Sequence, residues 1–319
     1  MSDVDRYRDA AFRENTRRSY QSAVRHFEVE WGGFLPATSD AVARYLSDYA
    51  PTLSPNTLKH RLSALSRWHQ EHGFADPTKS LLVRDVLKGA RALHPAPPKQ
   101  ARPLQLDVLE HVDAWLANEV ELARSRDDRP VVLRALRDRS LILLGFWRGF
   151  RADELSRLMV EQIEVRSGDG LRCYLPRSKG DRAFSGRYFE CPALPKLCPV
   201  TAYTKWVAEA ELSQGAVFRR VSRTGQVGRS GLHPGSFVPL LRRIFASACV
   251  VDAQIYTSHS LRRGFAGWAR NSGWDLKEMM DYVGWADVKS AMRYLDERDL
   301  AVKARFANAF ETEGKSGER

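Results

Sequence analysis

Residues 258–265 read SHSLRRGF, one histidine and two arginines inside two turns of a predicted helix. Leu261, Phe265, Trp268 and Ala269 recur at three- and four-residue steps, so this stretch is expected to be an amphipathic helix packed through that stripe. His259 and Arg262 are three residues apart and share a face other than the apolar one. They lie near the helix start, where backbone N–H groups and a guanidinium together make an anion site. No Asp or Glu occurs between Asp252 and Asp275, so the negative charge answering these arginines is expected from a partner. Two short helices follow. Leu276, Met279, Met280 and Val283 mark one, stopped by Gly284, and Val288, Ala291, Met292 and Leu295 the other; both stripes are predicted to be core. Tyr294 falls about 110° from the centre of the last stripe and is not needed for packing.

The composition says what such a site is for. The chain has 319 residues, 43% of them hydrophobic, enough for well-buried cores and for two domains. Its formal charge of +11 favours polyanions, nucleic acid first and an anionic membrane surface second. The basic residues are gathered. Acid-free stretches run from Tyr49 to Gln70, Val86 to Leu106 and Leu212 to Val251, which suggests a nucleic-acid surface assembled from several segments. Lys59, His60, Arg61, Arg67, Lys88, Arg91, Arg219, Arg220, Arg242 and Arg243 are its candidate DNA-binding residues. The start, MSDVDRYRDAAF, lacks a secretory signal, and no stretch approaches the apolar length of a membrane span, so a cytoplasmic protein is expected. Cys173, Cys191, Cys198 and Cys249 have neither zinc-site spacing nor disulfide-scaffold density, and are expected to be reduced and mostly buried. No metal or cofactor is expected.

The segment HPAPPKQARP, 94–103, holds four prolines and reads as a linker between residues 1–93 and 104–319. Before it lie four helical patterns. NTRRSYQSAVRHFEVEW ends at Gly32-Gly33, SDAVARYLSDY opens at Ser39, SPNTLKHRLSALSRWHQEH has Ser54 as cap and Pro55 at its first position, and TKSLLVRDVLKGARAL follows Pro77. In the third, Leu58, Leu62, Leu65 and Trp68 pack, leaving Lys59, His60, Arg61, Arg67 and His69 on a face able to enter a groove. After the linker, helical patterns continue through LQLDVLEHVDAWLANEV and VVLRALRDRSLILLGFW. LRCYLP and RYFECPA then flank RSKGDRAFSG as a β-hairpin, and helices resume at PVTAYTKWVAEA and run to the end. The expected fold is mainly α: a helical bundle, then a mixed α+β domain with a small antiparallel sheet.

Two further motifs carry polar chemistry. In GFRADEL, Arg151 begins a short helix and Glu154 lies one turn on, placed to orient a guanidinium. In RSKGD, Lys179 sits at the hairpin turn. In order, GFRADEL, the lysine of RSKGD, HSLR, GW and the tyrosine of RYL resemble the signature of the tyrosine recombinases of the phage integrase family. The first domain is similar to the family's core-binding domain, and the choice of Trp285 over histidine looks most similar to Cre-type recombinases.

That resemblance implies a site-specific DNA recombinase. It makes Arg151 and Arg262 the phosphate clamp, Tyr294 the nucleophile, Lys179 the general acid, His259 and Trp285 further phosphate and proton-transfer contacts, and Glu154 a support. It implies double-stranded DNA with inverted-repeat sites as substrate, a homotetramer on paired sites, and a bacterial or mobile-element protein associated with the nucleoid, with an accessory protein left open. The tail AVKARFANAFETEGK, with Val302, Phe306 and Phe310 at four-residue spacing, would be the helix that docks on a neighbouring protomer. With little chain ahead of Asn15 for an arm-type domain, resolution or inversion is expected rather than regulated integration. A type IB topoisomerase-like enzyme and a catalytically silent DNA-binding relative are the alternatives.

Overall fold

Among the described residues, seven α-helices are laid down before the first strand. In the computed structural model residues 14–95, 100–166, 168–176 and 186–295 are described, with residues 3, 6 and 7; at 290 and 293–295 the description is of the backbone. The chain divides into two units, Met1–Lys99 and Gln100–Arg319. Among the described residues no helix is long and apolar enough to cross a membrane.

In the first unit, α1 (Glu14–Arg25) runs on as a π turn over His26–Glu30. Helix α2 (Ser39–Tyr49) opens at Ser39 as expected, and its cap is Thr38, whose hydroxyl accepts from the Ala41 N–H. Helix α3 (Pro55–Glu71) has the expected Ser54 cap and Pro55 at its first position. Helix α4 (Leu81–Leu93) is capped by Ser80, since Pro77–Lys79 forms a separate 3-10 turn. Phe27, Tyr45, Leu46, Leu58, Leu65 and Val83 join these helices in one core.

Two residues assigned by sequence to the groove-facing side of α3 belong instead to the interior. His69 is fully buried, accepting from the Ala37 N–H at 2.8 Å and donating to the Leu65 carbonyl at 2.7 Å. Arg61 is half-buried, donates to the Tyr45 hydroxyl at 2.8 Å and contacts His26. Helical spacing places residues on a face, but a buried carbonyl or hydroxyl decides which polar side chains turn inward.

In the second unit, α5 (Leu106–Ser125) and α6 (Arg129–Trp147) form an antiparallel pair, pinned where Arg139 donates to both oxygens of Asp113 at 2.6 and 2.9 Å. Helix α6 is buried on nearly all sides, as befits a continuous run such as LILLGFW. The turn after it leads into the short α7 (Ala152–Ser156) and then a three-stranded antiparallel meander, β1 (Ile163–Arg166), β2 (Gly170–Leu175) and β3 (Arg187–Pro192). Leu171, Cys173, Leu175, Phe189 and Cys191 alternate onto its buried face. The tip of the β2–β3 hairpin, with Lys179, lies outside the described residues.

Helix α8 (Pro199–Glu209) precedes a feature the sequence pattern missed. Arg219–Val221 and Val227–Gly231 pair as a second hairpin, β4–β5, where helices were expected to continue to the end. Helices α9 (Phe237–Ser247), α10 (Ser258–Asn271), α11 (Leu276–Val283) and α12 (Val288–Leu295) complete the unit. On α12 the expected stripe is core only in part: Ala291 is buried while Val288 and Met292 are exposed. All four cysteines are free; Cys173 and Cys191 are buried, Cys198 is half-buried and Cys249 exposed, so fewer are interior than expected.

Candidate active site

The site begins where α6 stops. Gly149 takes a left-handed conformation (φ 58°) that turns the chain, and Arg151, three residues beyond Arg148 at the end of α6, becomes the cap of α7. Glu154, at the third position of α7, reaches back: one carboxylate oxygen accepts from the Arg151 backbone N–H and the other from the Arg151 guanidinium, each at 2.8 Å. This is one half of a capping box: Glu154 reaches back to the cap N–H, while the cap side chain, a guanidinium with no acceptor, donates to the same carboxylate.

Helix α10 supplies the second guanidinium. Its start is held by a reciprocal box in which Thr257 Oγ1 accepts from the His259 N–H and Ser260 Oγ accepts from the Thr257 N–H. His259 is thereby placed in the first turn, exposed. Arg262, one turn on, is 0% exposed; its Nη1 donates to the Gly149 carbonyl and lies 3.8 Å from Glu154. A buried carboxylate from α7 therefore answers the arginine that the local sequence left without a counter-charge. The expectation that a partner alone supplies it is corrected: charges far apart in sequence are brought together by packing α10 on α6.

Glu154 is 3% exposed. Burial by itself would raise its pKa, but Arg151 and Arg262, with the hydrogen bonds from Arg151, outweigh it and hold the carboxyl below the usual carboxylate range. Two guanidinium groups against one carboxylate leave the cluster net positive.

Trp285 closes the cluster. Helix α11 ends at Gly284 (φ 75°), and the next residue, Trp285, is 5% exposed with the Arg262 guanidinium 5.3 Å from its ring centroid. Helix α12 follows at once and carries Tyr294 on its last turn. Arg151, Glu154, Arg262 and Trp285 are thus in mutual contact, directly or through one another. His259 lies one turn before Arg262 on α10, and Lys179 is outside the described residues.

The candidate DNA-binding residues separate into two groups. Lys59, Lys88, Arg91, Arg220 and Arg243 are exposed. The others are engaged within the fold: besides Arg61, His60 bonds Ser19, Arg67 pairs with Glu71 at 2.6 Å, Arg219 donates to the Ala216 carbonyl, and Arg242 donates to the Tyr256 carbonyl. Sequence reasoning missed the Gly149 carbonyl and the Thr257–Ser260 box. The box was readable as a threonine three residues before a hydroxyl at a helix start; the carbonyl had no signal beyond its glycine.

The model of the phage integrase family matches residues 117–300, more than half of the chain. The chain belongs to that family and is a tyrosine recombinase. It is 27% identical over 297 residues to an integrase/recombinase xerD homolog of Selenomonas ruminantium, covering 90% of this chain and 83% of the relative. It is 26% identical over 293 residues to the tyrosine recombinase XerD of Xanthomonas axonopodis pv. citri, covering 88% and 85%. In fold it is similar to the XerH site-specific recombinase bound to a palindromic difH substrate (TM-score 0.61, 19% identity, 90% of this chain and 78% of that one). A lambda integrase dimer bound to a core site is similar as well (TM-score 0.56, 17% identity, 93% and 95%).

Proposed function

We propose that this chain recombines double-stranded DNA at specific sites by transesterification through a 3′-phosphotyrosyl intermediate. The observation that carries this is the clustering of Arg151 and Arg262 on the single buried carboxylate of Glu154 beneath Trp285. A phosphodiester passing through a pentacoordinate state gains charge on its non-bridging oxygens, and planar guanidinium forks held in advance match that geometry.

Tyr294 Oη attacks the phosphorus, and the P–O5′ bond breaks. The phenolic proton passes to His259, needed because tyrosine is only about one part in a thousand ionised near neutral pH. Lys179 returns a proton to the departing 5′-hydroxyl. The tyrosyl phosphodiester conserves the bond, so a 5′-hydroxyl from a second duplex reverses the attack and joins the strands. Residues 1–93 act as the core-binding domain and 104–319 as the catalytic one. The protein works as a tetramer on two inverted-repeat sites, with the tail around Val302, Phe306 and Phe310, outside the described residues, docking on the next protomer.

The test starts from duplexes selected for binding from a random library and nicked so that cleavage cannot reverse. Wild type is expected to form an adduct that survives denaturant, and Tyr294→Phe to form none. An adduct with Tyr294→Phe would overturn the nucleophile; binding without any wild-type adduct would leave the silent relative; adducts without exchange between two duplexes would leave a topoisomerase-like enzyme.

A further inference from the structure

Arg148, the residue after α6, is 2% exposed. Arginine is almost never so buried unless paired, yet among the described residues no ion pair includes it. Its Nη2 donates to the Tyr282 carbonyl, and its guanidinium carbon lies 3.9 Å from the Tyr282 ring centroid and 5.0 Å from that of Phe189 on β3. Its Nε is buried without a hydrogen-bond partner among the described residues. Taking such a charge out of water without a counter-charge is costly, and one hydrogen bond with two ring contacts offsets that cost only in part. Stability therefore does not explain its presence.

Its partners point to position instead. The last turn of α11 leaves carbonyls that need donors. The Met280 carbonyl accepts from the Gly284 and Trp285 N–H groups at 2.9 and 3.0 Å. The next, Asp281, accepts from Arg187 of β3 at 2.6 Å, and the third, Tyr282, from Arg148. Two cations thus sit at the negative end of the α11 dipole, one rooted in the sheet and one at the end of α6. Arg148 precedes Arg151 by three residues, and Tyr282 precedes Trp285 by three. One hydrogen bond therefore joins the chain entering the phosphate clamp to the chain entering Trp285 and the Tyr294 helix.

We infer that Arg148 is a positioning residue for strand cleavage: together with Arg187 it ties the end of α11 to α6 and the sheet, and so holds the Trp285–Tyr294 segment in register with Arg151 and Arg262. This rests on the recombinase function proposed above. The relation is geometric: buried against Tyr282 and Phe189, Arg148 acts on the phosphate only through the segment it holds.

The full-length Arg148→Met variant separates position from packing. Its melting temperature is expected to change by only a few degrees, because relief of the charge's desolvation offsets the donor lost by the Tyr282 carbonyl, and its DNA affinity to stay within about two-fold of wild type, since no phosphate contact is removed. Single-turnover cleavage of the nicked duplex at saturating protein should fall roughly 10- to 100-fold, the scale of a displacement of about 1 Å. A 5′-bridging sulfur, which leaves without a proton, should not restore the rate, because the defect lies in the nucleophile's position. Arg148→Lys, keeping the charge without the planar fork, should recover part of it. Arg187→Met, at an exposed position, should keep its fold and show a smaller loss in the same sense. Wild-type cleavage in Arg148→Met or Arg187→Met would overturn the inference, as would full rescue by the sulfur substrate, or a rate loss matched by falling melting temperature and affinity. Absence of an adduct with wild type itself would instead strike at the recombinase function.

Discussion

Glu154 shows how one residue governs a site it does not act in chemically. Its carboxylate bridges a cap arginine on α7 and a fully buried arginine on α10. Glu154→Gln keeps the shape but removes the counter-charge, and should cost about 1–3 kcal/mol of unfolding free energy near neutral pH, the scale of hydrogen bonds to charged groups. The sign of its pH dependence follows from the lowered pKa. The ionised form is favoured in the fold, so its contribution is complete above the ordinary value of 4.5 and is lost as pH falls through the folded value. Urea unfolding of both proteins from pH 7 to pH 3 should show their difference shrinking on the acid side. A difference constant across that range would mean that the carboxylate charge is not what stabilises the cluster. Glu154 was legible as an orienter of Arg151 from GFRADEL alone; its second partner was not, because no local pattern reports that α10 packs against α6.

At the scale of elements, the turns that join helices set the spacing of the clustered arginines and Trp285. Gly149 connects α6 to α7 and offers its carbonyl to Arg262. A Cβ there would sit 3.3 Å from Val283 Cγ1 and 3.5 Å from Arg262 Cγ, in a backbone conformation that side chains resist. Gly149→Ala should therefore lose about 1–2 kcal/mol of stability. Its cleavage rate at saturating DNA should fall by more than that loss predicts, because Arg262 shifts with the carbonyl. Equal stability and rate to wild type would show that the turn tolerates the change. Helix caps such as Ser54, and the long apolar periods of α5 and α6, were readable because both are local. The strands β1, β4 and β5 were not: IEVR, RRV and VGRSG are short, carry few apolar residues and are mostly not buried, and only pairing with a partner strand makes them β. The Val288–Leu295 stripe was read correctly as helical, but periodicity alone cannot say which of its apolar positions are covered.

At the scale of the whole molecule, a charge of +11 distributed over both units implies binding dominated by phosphate contacts. The logarithm of affinity should fall linearly with the logarithm of salt, with a slope of roughly −0.9 for each phosphate neutralised. The exposed and engaged candidates then behave differently. Lys59, Lys88 and Arg91 in the first unit and Arg220 in the second present their charge to solvent. Replacing any of them by alanine should make the slope shallower by about 0.9 if it meets a phosphate, and replacing one from each unit should lower it by the sum, since distant sites add. Arg61 is held by Tyr45 and His26 within the bundle, so Arg61→Ala should lower stability and leave the slope unchanged. Titrations of full-length variants between about 50 and 200 mM salt resolve these changes, because that range spans several orders of magnitude in affinity for a protein making six or more phosphate contacts. A slope that responds to changes in the second unit alone would remove the first unit from the DNA surface, and one that responds to Arg61 rather than to Lys59 would mean that the bundle opens to bind.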